Sequence, residues 1–440
     1  MNRREFAGSA AALALAGCAS TPSSDLSQTE ANDAFLYAFA PFEMARVAAR
    51  STIGPVGFNR FAHRATLADH TARTVTTPNN DTLYSSAWVD LTGGPVELFV
   101  PDIPDRYFSV AFLSAFTDNF HIIGTRTTGG RGGRYWIVGP SWRGRAPEGV
   151  ETIRAPTVDI WVLARILVDG PEDLATAAAV QRLFTIAPVT NAALIPRRIA
   201  PTSVNEARNV LAVANETLWR SRGAGGQVAR AKQFRAAGIG PFAEDRWDAL
   251  SDTHHGLWNG VAAKTYGILK TGQGARGREV NGWRYPAAHT GDFGDDDLYR
   301  AQIALSGLGA LPPAEAVYLS ASRDAENRVL NGAFAYRFSL PAGGAPVDAF
   351  WSLSMYEVDA EGRLFFIDNP ISRYAIGNRS KGLVIAPDGA LDITLSHARP
   401  ANAANWLPAP RDLFRITFRG YLPKPALLSG AWTLPAITRL

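Results

Sequence analysis

Leu83-Tyr84-Ser85-Ser86-Ala87-Trp88-Val89-Asp90 decides the fold class. Leu83, Ser85, Ala87 and Val89 alternate with Tyr84, Ser86, Trp88 and Asp90. That is the two-residue period of a strand with one face turned inward. Short runs of the same texture follow: PVELFV (95–100), RYFSVAFL (106–113), NFHIIGT (119–125) and RYWIV (134–138). TTGGRGG (127–133) is a turn between the last two. Strands this short and closely spaced predict a β-sandwich.

Ahead of these strands, residues 29–50 read as a helix. Ser27 and Glu30 have capping-box spacing, Phe35, Phe39 and Phe42 share a face, and Pro41 is expected to kink it. The N-terminal domain is therefore drawn over 29–170. A helical linker is drawn over 171–282. Ser203 and Glu206 there offer a second capping box, and Val210, Val213, Ala214 and Thr217 share a face. From 283 to 440 strands return in AVYLSAS (316–322), AFAYRFSL (333–340), FWSLSMYEV (350–358), RLFFID (363–368), ALDITLS (390–396) and FRITFRGY (414–421). The class is mainly β with a helical segment, the second β region being an antiparallel sandwich or jelly roll.

The start of the chain is an address. Arg3-Arg4 and Phe6 precede a short apolar run that ends in Leu15-Ala16-Gly17-Cys18. This reads as a signal peptide over 1–18 of the twin-arginine kind, with Cys18 receiving a lipid. The run is too short to span a bilayer, which takes ~20 apolar residues. Residues 19–28 are small and polar, a tether. The expected location is the periplasm, lipid-anchored to the inner or outer membrane, which is the one partner the address implies. Cys18 is the only cysteine, so no internal disulfide or cysteine-rich metal site forms. Without Arg3, Arg4 and Glu5 the net charge is +3, too balanced for a nucleic-acid binder. The oligomeric state is left open.

Several longer phrases belong together: PNNDTLYSSAWVDL (78–91), VPDIPDRYFSV (100–110), YPAAHTGDFGDDDLYRAQIALSGLGAL (285–311), DAFWSLSMY (348–356), DNPISRYAIGNR (368–379) and NWLPAP (405–410). This set resembles a bacterial family that joins domains of unknown function 1254 and 1214. The resemblance implies an immunoglobulin-like N-terminal sandwich and a jelly-roll-like C-terminal one. It implies no reaction.

Candidate site residues come from the polar phrases. In Asn79-Asn80-Asp81-Thr82-Leu83-Tyr84, Asp81 is placed as a general base with Tyr84 beside it as catalytic groups, and Asn79 and Asn80 as substrate ligands. Arg106 and Arg126 could clamp an anion or pair with nearby aspartates. Asn369, Arg373, Tyr374, Asn405 and Trp406 are further substrate-binding candidates in the C-terminal half. Asp292, Asp295, Asp296 and Asp297 have no EF-hand spacing and also suit a helix start. The histidines show no HxH or HExxH spacing, so no metal is assigned. No GxSxG elbow, phosphate loop or dinucleotide fingerprint appears, and no cofactor is assigned. The expected function is an envelope hydrolase acting on a polar small molecule or glycan where the two β domains meet. The alternative is a non-catalytic ligand-binding or envelope-scaffold lipoprotein.

Overall fold

The computed structural model describes residues 26–53, 56–73, 76–272 and 276–440; the signal, Cys18 and most of the tether lie outside the described residues. The alternating run becomes the strand Thr82–Asp90, and its Leu83, Ala87 and Val89 enter an apolar core. That strand lies second in a five-stranded sheet ordered Ala62–Arg64, Thr82–Asp90, Asp159–Leu167, Phe108–Ser114, Asn119–Gly124. A four-stranded sheet faces it, ordered Val150–Arg154, Gly133–Val138, Val96–Val100, Thr185–Pro188. Leu98, Ile137 and Ile186 of the second sheet meet Leu83, Val162 and Ile166 of the first. The Gly133–Val138 and Val150–Arg154 pair runs parallel.

The C-terminal half repeats the plan. Its larger sheet runs Arg278–Val280, Trp283–Tyr285, Ala316–Ala321, Phe414–Pro423, Val347–Val358, Leu364–Phe365, and Ala375–Gly377 also pairs with Val347–Val358. A four-stranded sheet covers one face, with Phe338 and Ile393 packed on Leu353 and Phe418.

Helices Gln28–Ser51, Ala207–Arg220, Asp252–Thr271 and Asp297–Ser306 form a third layer around Phe35, Phe39, Trp258 and Leu218. The Ser27–Glu30 capping box is formed in both directions, and the helix continues through Pro41. The Ser203–Glu206 box is not. Ser203 Oγ accepts from the Asn205 amide and the Glu206 carboxylate accepts from the Thr202 hydroxyl, so the helix starts at Ala207. The linker assigned to 171–282 is also not a separate helical piece. Its Thr185–Pro188 pairs with Val96–Phe99 in the first sandwich, and Asp297–Ser306, from beyond its expected end, packs with the helices. Asp296 caps that last helix, while Asp295 and Asp297 pair with Arg230.

Buried arginines rivet the layers. Arg220 holds Asp90 and Asp159, tying Ala207–Arg220 to the first sandwich. The fully buried Arg300 holds Asp118. The outer face of the five-stranded sheet then meets the C-terminal half through Trp88, Tyr107, Leu163 and Leu167 against Leu311, Ala316, Phe350 and Tyr421.

Candidate functional site

Two matching rows of side chains meet at this seam. Strand register aligns Arg64, Tyr84, Arg165 and Ser109 across four neighbouring strands of the N-terminal sheet. Register in the C-terminal sheet aligns Tyr318, Arg419 and Ser352, with Gly377 closing the row. Paired residues share a face of a pleated sheet, so each row presents tyrosine, arginine and serine together.

The loop leading to Thr82 is threaded between the rows. The Asn79 amide donates to the Tyr84 hydroxyl at 3.1 Å and to the Tyr421 hydroxyl at 2.8 Å, joining a phenol from each half. Its carbonyl accepts from the Asp81 amide at 2.6 Å. The Ser352 hydroxyl donates to the Asp81 carboxylate at 2.6 Å. Arg419 donates to Thr77 O at 3.0 Å, Pro78 O at 3.3 Å, Tyr356 Oη at 2.7 Å and Ser354 Oγ at 2.7 Å. Thr77 is held at φ 55°, a left-handed backbone that strains a β-branched residue.

Charge is tuned here in opposite directions. Burial pushes the Asp81 carboxyl up, and Arg419 and Ser352 only partly offset that. Burial would raise the Tyr84 phenol as well, but Arg165 and Arg419 together outweigh it and hold Tyr84 below the ordinary tyrosine value. Burial keeps neighbouring Tyr107, Tyr318 and Tyr421 above that value. An acid pushed up beside a phenol pulled down is an arrangement suited to proton transfer. Both residues are half-buried, and of the two Tyr84 lines a cavity while Asp81 lies behind it.

The other candidate residues fare unequally. Asn80 closes a turn by donating to Ala68 O at 2.6 Å. Arg106 is an ion-pair partner of Asp173 and donates to Leu167 O. Arg126 pairs at 2.7 Å with the fully buried Glu315, which also accepts from Tyr107, so it latches the halves together. Tyr374 reaches across to His70 at 2.8 Å, and its ring touches Phe366, which stacks on Tyr356 of the Arg419 cluster. Asn369, Arg373, Asn405 and Trp406 are not brought to Asp81. Arg373 donates to Ala404 O and Trp406 O, Asn369 closes its own loop, Asn405 binds Val384 and Asp392, and the Trp406 indole donates to Ser396 O. Their polar groups are spent on loop backbone, so NNDTLY and DNPISRY do not meet; Tyr374 is linked to the loop before Asn79 only through Phe366 and Tyr356, whose hydroxyl donates to Pro78 O.

Sequence reading missed Arg165, Arg419, Ser352, Tyr318 and Tyr421. The usable signal was Arg165 inside the otherwise apolar run 160–167; residues 414–421 carry Arg415 and Thr417 beside Arg419 and offered no such signal.

Two cavities flank the cluster. One of about 600 Å³ lies between Tyr107, Thr125 and Leu167 on one side and Ala349 and Leu422 on the other. Six of its charged groups pair with one another: Arg106 with Asp173, Arg379 with Asp169, Lys381 with Glu172. The other, about 300 Å³, is lined by Arg60, His63, Arg64, Tyr84, Ser86 and Trp88 among others. The smaller one touches Tyr84 and is the better candidate, although the larger has more room. Among the described residues no group of three His, Cys, Asp or Glu is disposed to hold a metal ion, and no helix is long and apolar enough to cross a membrane.

Residues 58–188 match the family described as "Protein of unknown function (DUF1254)" and residues 315–425 the one described as "Protein of unknown function (DUF1214)". Asp81, Tyr84 and Arg165 fall in the first match, Ser352 and Arg419 in the second. Comparison with curated proteins gives no match. The crystal structure of the VPA0106 protein from Vibrio parahaemolyticus superposes with a TM-score of 0.72 at 22% identity, covering 94% of this chain and 99% of that one. At that identity the likeness shows the fold alone. An uncharacterized protein from Burkholderia cenocepacia aligns over 94% of this chain and 93% of its own, with a TM-score of 0.46 and 12% identity, too loosely to carry an argument.

Proposed function

We propose, for a chain that belongs to the family joining the DUF1254 and DUF1214 regions, an exported, lipid-anchored envelope protein that hydrolyses a polar small molecule or glycan at the seam of its two β regions. One observation carries the catalytic part. Asp81 and Tyr84, from the N-terminal half, are bonded into one cluster with Ser352 and Tyr421 of the C-terminal half, and their proton affinities are shifted in opposite directions. Asp81 then acts as the base on water and Tyr84 as the group that returns a proton. The location rests on the basic start, the short apolar run and the lone Cys18. Cys18→Ala is expected to shift the protein from the membrane to the soluble periplasmic fraction; retention on the membrane would remove the lipid from this reading.

Asp81 also has a stability signature. A carboxyl whose native pKa stands above its unfolded value keeps its full contribution below the unfolded pKa and loses it as pH rises through the native pKa. Asp81 is such a group. Asp81→Asn is therefore expected to flatten the fall in stability with rising pH. It should leave the protein as stable at neutral pH or more so, by up to about 1 kcal/mol, while turnover stops. Denaturant titrations across pH check the first part. Screening metabolite mixtures for thermal stabilisation of the protein finds the substrate on which to check the second. Unchanged turnover in Asp81→Asn would remove the base.

A second reading, a non-catalytic ligand-binding or envelope-scaffold lipoprotein, is favoured by how fully Arg106, Arg126 and Arg373 are engaged by protein groups. A ligand that binds at the seam and is never turned over would select it.

A further inference from the structure

We infer that the seam takes an anion: a small, flat molecule whose carboxylate or phosphate is held by Arg165 and which arrives through the cavity bordered by Arg60, His63 and Arg64. This rests on reading the seam as a binding site and adds the chemical class of its ligand.

Arg165 is the anomaly among the buried arginines. It is 4% exposed, at the centre of the five-stranded sheet. Its Nη2 donates to Gly309 O at 2.6 Å, but Nε and Nη1 make no hydrogen bond of normal geometry, the Tyr84 phenol being the acceptor within their range. Arg220 has two carboxylates, Arg300 has Asp118, and Arg419 has four oxygen acceptors. Among the described residues no ion pair holds Arg165. Its surroundings are the phenols of Tyr84, Tyr318, Tyr421 and Tyr107. A buried cation without a counter-charge is costly, and the cost is recovered when an anion binds. Ser109, its cross-strand neighbour, is fully buried and its hydroxyl likewise makes no hydrogen bond of normal geometry, with only the Tyr107 phenol in range. Three donors on adjacent strands thus await a well-placed acceptor.

The approach to Arg165 has the same sign. No carboxylate lines the smaller cavity, and among the described residues none pairs with Arg60 or Arg64. Arg64 lies in the same cross-strand row as Tyr84 and Arg165. Arg165 does not itself line the cavity: the Tyr84 ring, part of the wall, lies over its guanidinium with 5.3 Å from ring centroid to guanidinium carbon, so the anion gains Arg165 by displacing that ring. Trp88, also in the wall, stacks on Trp161 at 4.9 Å with planes 3° apart. That gives a flat apolar surface beside a run of positive charge, which suits an anion on a flat body.

The test is calorimetric titration of the mature protein in detergent with benzoate, phenyl phosphate and the neutral benzamide. Benzoate or phenyl phosphate should bind at least tenfold more tightly than benzamide, and the tighter of the two names the headgroup. Arg165→Met should weaken the anions by about 10- to 100-fold, leave benzamide unchanged, and change stability little, because removal of an unpaired buried charge offsets the loss of the bond to Gly309 O. Arg165→Lys should retain part of the affinity. Arg64→Gln, an exposed change independent of folding, should weaken the anions and flatten their salt dependence. Equal binding of benzamide and the anions overturns the anion class but leaves the seam as a site if Tyr84→Ala abolishes that binding. Anion affinities unchanged in both Arg165→Met and Arg64→Gln overturn the inference by placing the anion elsewhere. If neither anion binds the inference falls, and if no metabolite stabilises the protein the seam falls with it.

Discussion

Arg419→Met is expected to lower the stability of the protein by about 3–5 kcal/mol. The guanidinium is buried and satisfies four oxygens: two carbonyls of the loop at Thr77 and Pro78, and the hydroxyls of Tyr356 and Ser354. A thioether of similar reach satisfies none of them. Each carbonyl left dry costs about 1–3 kcal/mol, although Pro78 O keeps its bond from Tyr356. The loop also holds a strained Thr77, so losing its clamp frees it to relax away from the seam. Asp81 loses its main cation and its carboxyl rises further, which extends the pH range over which it is neutral. Arg419→Lys should recover only part, since one ammonium cannot reproduce the spread of a planar guanidinium. Denaturant titration of both variants measures these losses. A loss under about 1 kcal/mol would show that the loop is held by other contacts.

Tyr84→Phe is expected to lower turnover by about 10²- to 10⁴-fold with little change in substrate affinity. The fold should barely notice. The Tyr84 hydroxyl accepts one bond from Asn79, whose amide keeps its shorter bond to Tyr421. The loss is therefore about 0.5–1.5 kcal/mol. What disappears is the phenol that two buried guanidiniums hold in an easily ionised state. A fall in kcat without a matching rise in KM identifies a group used in the transition state. Equal kcat would leave Tyr84 as cavity wall and favour the non-catalytic reading.

How much of this was legible follows from where each residue lies. The strand at Leu83–Val89 announced itself because one face meets a core and the other a polar seam. Asp159–Leu167 did not, because both of its faces are covered: Ile160, Val162 and Ile166 pack inward, Leu163 and Leu167 outward. A strand buried on both faces loses its alternation, and Arg165 went unnoticed with it. Asn79, Asp81 and Tyr84 were visible as a dense local motif. Arg419, Ser352 and Tyr421 were not, since only register brings them opposite that motif. Asn369, Arg373 and Asn405 misled because a loop that must satisfy its own carbonyls uses the same residue types as a binding site. The helical layer was legible as helices, but its partners come from sequence positions about 200 residues apart in some contacts, such as Phe35 with Trp258, and a linear reading divides such a layer in the wrong places.

The charge state of Tyr84 tests most directly whether both halves build one tuned site. Ultraviolet titration of wild type minus Tyr84→Phe isolates a single phenol. It should ionise below the ordinary tyrosine range, and Arg165→Met and Arg419→Lys, one in each β region, should each move it upward. A Tyr84 that titrates with or above the other tyrosines, indifferent to both arginines, would contradict the shared site.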